Sequence, residues 1–452
     1  MGNPNPTAHR HGAGLDLVVG AQQGGPSLTA AATAGPGARA TAPSRHRRVG
    51  AVTQTPPTTA PADEGAILTD PDLDSLRART RALCAQFPDE YWRETDLNRR
   101  YPQEFVDTLT GAGLLAALIP TEYGGLGFNL TQASVIMEEI NKSGGHSAAC
   151  HAQMYTMGAL LRHGSDEQKN TYLPLIAKGE LRLQAFSITE PAAGSDTTSI
   201  ITTAERDGDH YVLTGHKNWT SRISESDLAL VLARTSHKTE NRTRGLTLFL
   251  VDLRQVRAEQ PDTLEVVPVR TMFNYATNQV HYRGMRVPAD HVIGAVDAGF
   301  RYVLDGWNAE RILLASEAIG DGYWFIERAV DYATKREVFG RQIGAHQGVQ
   351  FPLADAYMKV RAADMMRYEA ARLFDEGKHC GAEANMAKHL ASEASWAAAN
   401  VALDTHGGNG FVDQYDIERK FRETRMFQIA PVNNNLIKAF VATKVLGLPR
   451  SY

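Results

Sequence analysis

From Asp70 onward, apolar side chains recur every three or four residues. Leu76, Leu83 and Phe87 keep that spacing, and Phe105, Leu109 and Leu114 continue it. Ile136, Met137 and Ile140 mark a further helix, and Met154, Met157, Leu160 and Leu161 another. Ser165 and Gln168 have the form of a capping box, with Ser at the N-cap and Gln three residues on. They open a helix through Tyr172 and Leu175 that ends near Gly179. Around Leu181 the pattern changes to short β-like runs: Tyr211–Thr214, Leu228–Leu232, Leu246–Val251, Leu264–Val269 and Val280–Tyr282. Polar turns separate them, and Gly208 supplies a positive φ in the turn Arg206–Asp209. From Ala298 the helical period returns, with helices predicted over 298–335, 346–376, 381–405 and 433–446. The chain therefore reads as α+β: an α-domain over 66–180, a β-barrel or sandwich over 181–293, and a helical bundle over 294–452.

Bulk properties narrow this picture. The 452 residues exceed what one core serves, so two or three domains are expected. Residues 1–65 are rich in Gly, Ala, Pro, Thr and Ser and read as a disordered tail without the apolar stretch of a secretory signal. A start at a valine such as Val52 is an alternative expectation for this region. A net charge of −4 argues against a generalised nucleic-acid surface, and no apolar run approaches membrane-spanning length. Cys84, Cys150 and Cys380 are isolated, which fits a reducing cytoplasm rather than a disulfide framework. The histidines show no metal-ligand spacing, so no metal is expected. The turn Gly124-Gly125-Leu126-Gly127 lacks the βαβ context of a dinucleotide fingerprint.

Several stretches could carry chemistry. Phe186–Asp196 runs from an apolar strand into the turn Thr189-Glu190-Pro191-Ala192-Ala193-Gly194-Ser195-Asp196. Such a turn can set backbone N–H groups and the Thr189 and Ser195 hydroxyls along one edge of a ligand, with Gly194 allowing close approach. In Gly215-His216-Lys217-Asn218-Trp219-Thr220-Ser221, Trp219 can pack on a flat ring that the Ser221 hydroxyl also reaches. Arg336 offers a planar fork suited to a pyrophosphate. Glu310 falls on the apolar face of its helix with Val303, Trp307, Leu313 and Leu314. A carboxylate there is either ion-paired or used, and burial would raise its pKa into the range of a general base.

The string Thr-Glu-Pro-x-x-Gly-Ser-Asp, the Lys-x-Trp segment, Arg336-Glu337-Val338-Phe339-Gly340 followed by His346-Gln347, and His406-Gly407-Gly408-Asn409-Gly410 occur in the order seen in the acyl-CoA dehydrogenases, a family this chain resembles from about 66 to 452. The resemblance implies three domains of order α, β, α and an FAD between the β-domain and the bundle. It implies cofactor contacts from Phe186, Ile188, Thr189, Gly194, Ser195, Trp219, Ser221 and Asn433. Across a subunit interface it adds Arg336, Phe339, His346, Gln347, Asp404, Gly407 and Gly408. Asp404 stands where the family often has Gln, and an ionised Asp cannot donate. Substrate contacts are implied for Ser195, Asn308 and Arg311. The reaction implied is α,β-dehydrogenation of an acyl-CoA or acyl-carrier-protein thioester, with electrons passing to an electron-transferring flavoprotein. A homotetramer or homodimer is implied as well. The family's common base position falls here on Pro431, which has neither a carboxylate nor an N–H. Glu310, in an Asn-Ala-Glu-Arg helix like that of isovaleryl-CoA and long-chain acyl-CoA dehydrogenases, replaces it as the expected base. Two other readings keep the fold: an oxidase or monooxygenase using oxygen, and a non-catalytic acyl-CoA- or flavin-binding relative.

Overall fold

The computed structural model describes residues 71–237 and 241–450. The tail expected over 1–65 lies outside them. Six helices come first: α1 (Pro71–Cys84), α2 (Asp89–Leu97), α3 (Gln103–Gly111), α4 (Leu130–Lys142), α5 (Ala148–His163) and α6 (Asp166–Ala177). The capping box expected at Ser165 is present, with Ser165 Oγ accepting from the Gln168 N–H and Gln168 Oε1 accepting from the Ser165 N–H. A second capping box, between Asn129 and Gln132, opens α4.

The middle of the chain forms one sheet of eight strands. These are β1 (Leu183–Ser187), β2 (Thr203–Asp207), β3 (His210–Ser221), β4 (Leu228–Arg234), β5 (Leu246–Asp252), β6 (Leu264–Pro268), β7 (Thr277–Pro288) and β8 (Val292–Ile293), with the short α7 (Leu253–Glu259) after β5. Their order is β6-β7-β3-β2-β4-β5-β8, and β1 runs parallel to β4. Alternation along β4 divides its side chains between two cores. Leu228, Leu230 and Leu232 join the residues of α5 and α6, whereas Ala229, Val231 and Ala233 join Tyr211, Leu213, Val280 and Tyr282 of β3 and β7. The sheet thus folds over its own inner core, as a sandwich does.

The last region is built on α8 (Gly299–Lys335), followed by the hairpin β9 (Glu337–Val338) and β10 (Arg341–Gln342). Then come α9 (Gln347–Asp375), α10 (Gly381–His406), α11 (Ile417–Thr424) and α12 (Asn434–Phe440). The helix expected over 433–446 is present as α12 running directly into a π-helical turn over Val441–Val445. One detail differs from the sequence reading. α11 is not among the helices predicted above; its Glu418, Arg419, Lys420, Arg422 and Glu423 form a charge run of a kind that is usually solvated. Arg419 and Lys420 are instead buried. Arg419 bonds Asp416 (3.1 Å) and Glu423 (3.1 Å), and Lys420 pairs with Asp321 of α8. Their remaining N–H groups donate to the Gly144 and Gly145 carbonyls, at 3.0 Å each. This network fixes the turn from which α5 starts, so a charged helix of the bundle positions a helix of the first domain.

The long α8 serves both cores: Phe300 and Val303 pack with the sheet-side cluster, and Ile312 to Phe325 with the bundle and α4. At Gly320 the two helices α8 and α4 are in close approach, since a Cβ there would meet the Glu138 carbonyl and the Asn141 side chain. Gly320→Ala is expected to lower stability by about 1–3 kcal/mol through overpacking. The unfolding midpoint in denaturant reads this directly, and an unchanged midpoint would show that the two helices separate freely.

Candidate active site

The Thr189–Ser195 turn is anchored from beneath by a buried ion pair. Glu190 accepts from Lys217 Nζ (2.9 Å) and from the N–H groups of Ile201 (2.7 Å) and Thr202 (2.9 Å). Lys217 also donates to the Ile188 carbonyl at 2.8 Å. Burial pushes the Lys217 ammonium down to about 8, against the pull of Glu190. Burial opposes ionisation of Glu190 too, but the Lys217 charge and the two N–H groups hold its carboxyl below the usual range.

Immediately after Lys217, β3 slips relative to β7: Lys217 pairs with Val280 and Thr220 with Asn278, so β3 carries one extra residue. The Asn218 N–H turns to the Thr189 carbonyl (2.8 Å) and Trp219 takes φ +62°. The bulge leaves Trp219 57% exposed beside the turn, an unusual place for a large ring with no function. Ser221 Oγ lies 3.2 Å from Thr277 Oγ1. Ser195 Oγ accepts from Asn433 Nδ2 at 2.9 Å, which brings the segment Pro431-Val432-Asn433 against the turn. Lys388, pushed down to about 7 by burial and by the Arg311 charge, donates to the Val432 carbonyl (2.8 Å) and Asn434 Oδ1 (3.0 Å). This segment carries no carboxylate.

Glu310 is on α8 and only 5% exposed. No ion pair joins it to a basic side chain among the described residues. Its neighbour Arg311 turns instead to Asn308 Oδ1 (3.2 Å) and lies 5.7 Å from the Trp307 ring centre. Burial raises the Glu310 carboxyl to about 7; the charges of His151 and Arg311 pull it down and that of Glu317 pushes it up. His151 Nδ1 hydrogen-bonds Glu317, which lies two turns beyond Glu310 on α8. The His151 ring is 5.0 Å from Tyr155, and Tyr155 is 5.8 Å from Phe186. His151, Tyr155 and Glu317 were not singled out from sequence, although His151 and Tyr155 are four apart on one face of α5.

The remaining candidates sit elsewhere. Arg336, Phe339, His346, Gln347, Asp404, Gly407 and Gly408 are exposed, Phe339 at 99%. No hydrogen bond or ion pair among the described residues ties them to the Glu310 or Trp219 groups. Tyr332, one turn before Arg336, stacks on His406 (4.3 Å) and accepts from Asn409 Nδ2 (2.8 Å), so the Arg336 hairpin and the Gly407-Gly408 loop share one end of the bundle. Gly407 adopts φ +57°, ψ −131°, open only to glycine.

Three family models match in chain order: the acyl-CoA dehydrogenase N-terminal domain over 70–180, the middle domain over 185–281 and the C-terminal domain over 297–446. The chain belongs to the acyl-CoA dehydrogenase family. Within the family it is similar to the acyl-CoA dehydrogenase fadE12 of Mycobacterium bovis, at 35% identity over 384 residues, covering 84% of this chain and 97% of that protein. It also resembles the 3-(aryl)acrylate reductase of Clostridium sporogenes, at 32% identity, covering 82% and 97% of the two chains. Among solved structures, a glutaryl-coenzyme A dehydrogenase in complex with glutaryl-CoA superposes with a TM-score of 0.79 at 28% identity, covering 85% of this chain and 98% of that one. Members of the acyl-CoA dehydrogenase family are flavoproteins. The exposed Trp219 at its bulge, the partnerless buried Asn218 Oδ1 and the open backbone at Gly194 suit a flat ring with hydrogen-bonding edges.

Lys217→Met, which leaves Glu190 buried without its counter-charge, is expected to cost about 3–5 kcal/mol of stability. Chemical denaturation of the variant measures it, and a cost below about 1 kcal/mol would mean that water reaches Glu190.

Proposed function

We propose that this acyl-CoA dehydrogenase family member removes the α-proton and β-hydride of an acyl-CoA thioester to give the trans-2-enoyl thioester, with Glu310 as the base. The observation that carries this reading is the state of Glu310: buried, without an ion pair, and raised to about 7. A carboxylate in that condition takes a proton from carbon far more readily than one stabilised by water or by an arginine. Pro431 and its neighbours, beside Ser195, offer no rival base.

FAD, when bound, supplies the acceptor for the hydride. Trp219 and Phe186 would pack against its ring, Ser221 and Thr189 would hydrogen-bond it, and Ile188, Gly194 and Ser195 would present backbone to it. Asn433, tied to Ser195, would close the same edge. Arg336, Phe339, His346, Gln347, Asp404, Gly407 and Gly408 would hold the cofactor of a second subunit, which accounts for their exposure in a single chain. A face for that subunit is present: Phe351, Met358 and Met365 recur every seven residues along α9 and are all exposed. Asn308 and Arg311 would steer the thioester, and an electron-transferring flavoprotein would take the electrons.

In an anaerobic stopped-flow experiment, Glu310→Gln is expected to slow acyl-CoA bleaching of the flavin by about 10²–10⁴-fold. Wild-type kcat/KM should rise with pH through about 7 and then level off, because only the ionised carboxylate accepts the proton. Rapid bleaching by Glu310→Gln, or a profile flat between pH 6 and 8 (about one pH unit either side of that value), would reject Glu310 as the base.

A further inference from the structure

Beyond the base, the interior holds a cation that closes no ion pair among the described residues, although the carboxyl of Glu225, three residues on, feels its charge. Arg222 follows Ser221 at the end of β3, takes φ +57°, and is 7% exposed. Its backbone is committed: the N–H donates to the Ala276 carbonyl (2.8 Å) and the carbonyl accepts from Ser226 Oγ (2.7 Å). Its side chain is not. Nε is buried without a hydrogen-bond partner, and the guanidinium enters no ion pair among the described residues. It lies 5.8 Å from the centre of the Tyr275 ring. A buried guanidinium nitrogen left without a hydrogen-bond partner is costly.

The surroundings of Arg222 are polar and incompletely paired. Tyr275 packs edge-on against His146 (4.2 Å), whose Nε2 is buried without a partner. Burial pushes His146 down to about 4, so it is neutral and cannot serve as a competing charge. His151, with Nδ1 committed to Glu317, leaves its Nε2 buried and unpartnered. Tyr155 and Tyr275 keep some accessible surface, yet desolvation drives both phenols well above their usual pKa. The charges of Glu310 and Arg222 both act on the Tyr155 phenol, the first raising its pKa and the second lowering it. His146 beside Tyr275 and His151 beside Tyr155 both sit around the start of α5, which links the two groups.

We propose that Arg222 is a specificity-determining residue that receives a terminal carboxylate on the acyl chain, so that the preferred substrates are CoA thioesters of dicarboxylic acids. The thioester end meets Glu310, the far carboxylate meets Arg222, and the His146 Nε2–H and the Tyr155 and Tyr275 hydroxyls donate to it. An alkyl chain of the same length would leave those groups unsatisfied. This inference rests on the assignment of Glu310 as the base of the same site.

The test compares chain-matched pairs on the FAD-loaded enzyme: glutaryl-CoA against pentanoyl-CoA, and adipyl-CoA against hexanoyl-CoA. Anaerobic flavin bleaching should favour the carboxylated member of each pair. Arg222→Met should lose about a hundredfold in kcat/KM on the carboxylated substrates, change little on the alkyl ones, and recover in part as Arg222→Lys. Calorimetric binding of both pairs to Glu310→Gln reads the preference without turnover. A carboxylate preference in binding supports the role of Arg222 even where bleaching by every thioester fails and rejects the dehydrogenase reading. Equal treatment of both members by the wild type, or equal loss on both in Arg222→Met, overturns the proposal. So does an Arg222→Met protein whose flavin spectrum shifts while its discrimination stays intact, which would place the guanidinium on the cofactor.

Discussion

One carboxylate kept from water without an ion pair sets the terms for the helix that carries it. Glu310 has Arg311 as its chain neighbour, yet that guanidinium turns to Asn308 and Trp307. Had it turned the other way, the carboxyl would be a stable anion with little appetite for a proton. The position is tolerable because α8 is gripped on both sides, by the sheet through Phe300 and Val303 and by the bundle through Ile312 to Phe325. A rigid helix can carry an uncomfortable group that a mobile one would simply expose.

The same economy explains the buried charges elsewhere. Arg367 is fully buried and bonds Ser134 (2.7 Å) and Glu138 (2.6 Å) of α4 while also contacting Asp364. Arg419 and Lys420 do the corresponding work between α11, α8 and the turn before α5. These networks pair most of their polar atoms, with Asp321 Oδ2 left over, and they hold helices in register. The groups around Glu310 and Arg222 are not saturated.

Much of the scaffold was legible in the chain. Periodicity gave the long helices within a few residues, the Ser165 capping box and the Gly208 turn appear as read, and the placement of Glu310 on an apolar face follows from its spacing to Val303, Leu313 and Leu314. What escaped did so for physical reasons. The charge run of α11 looks solvated because local pattern does not reveal distant partners such as Asp321 and the Gly144 carbonyl. His151, Tyr155 and Glu317 meet only when α5 crosses α8, a contact between residues 166 apart in the case of His151 and Glu317. Arg222 drew no notice beside Ser221, since an arginine in a turn is ordinarily exposed, and only its burial makes it informative.

The Glu190–Lys217 pair has a thermodynamic implication for whatever binds above it. Its carboxylate already ties down two residues beyond the turn, and its ammonium already ties down the one preceding it. The loop therefore has little conformational freedom left to surrender when a ligand arrives. Association at this edge is relieved of most of the ordering entropy that a free loop of the same Gly/Ser composition would forfeit. Recognition here resembles the filling of a mould more than the closing of a hand.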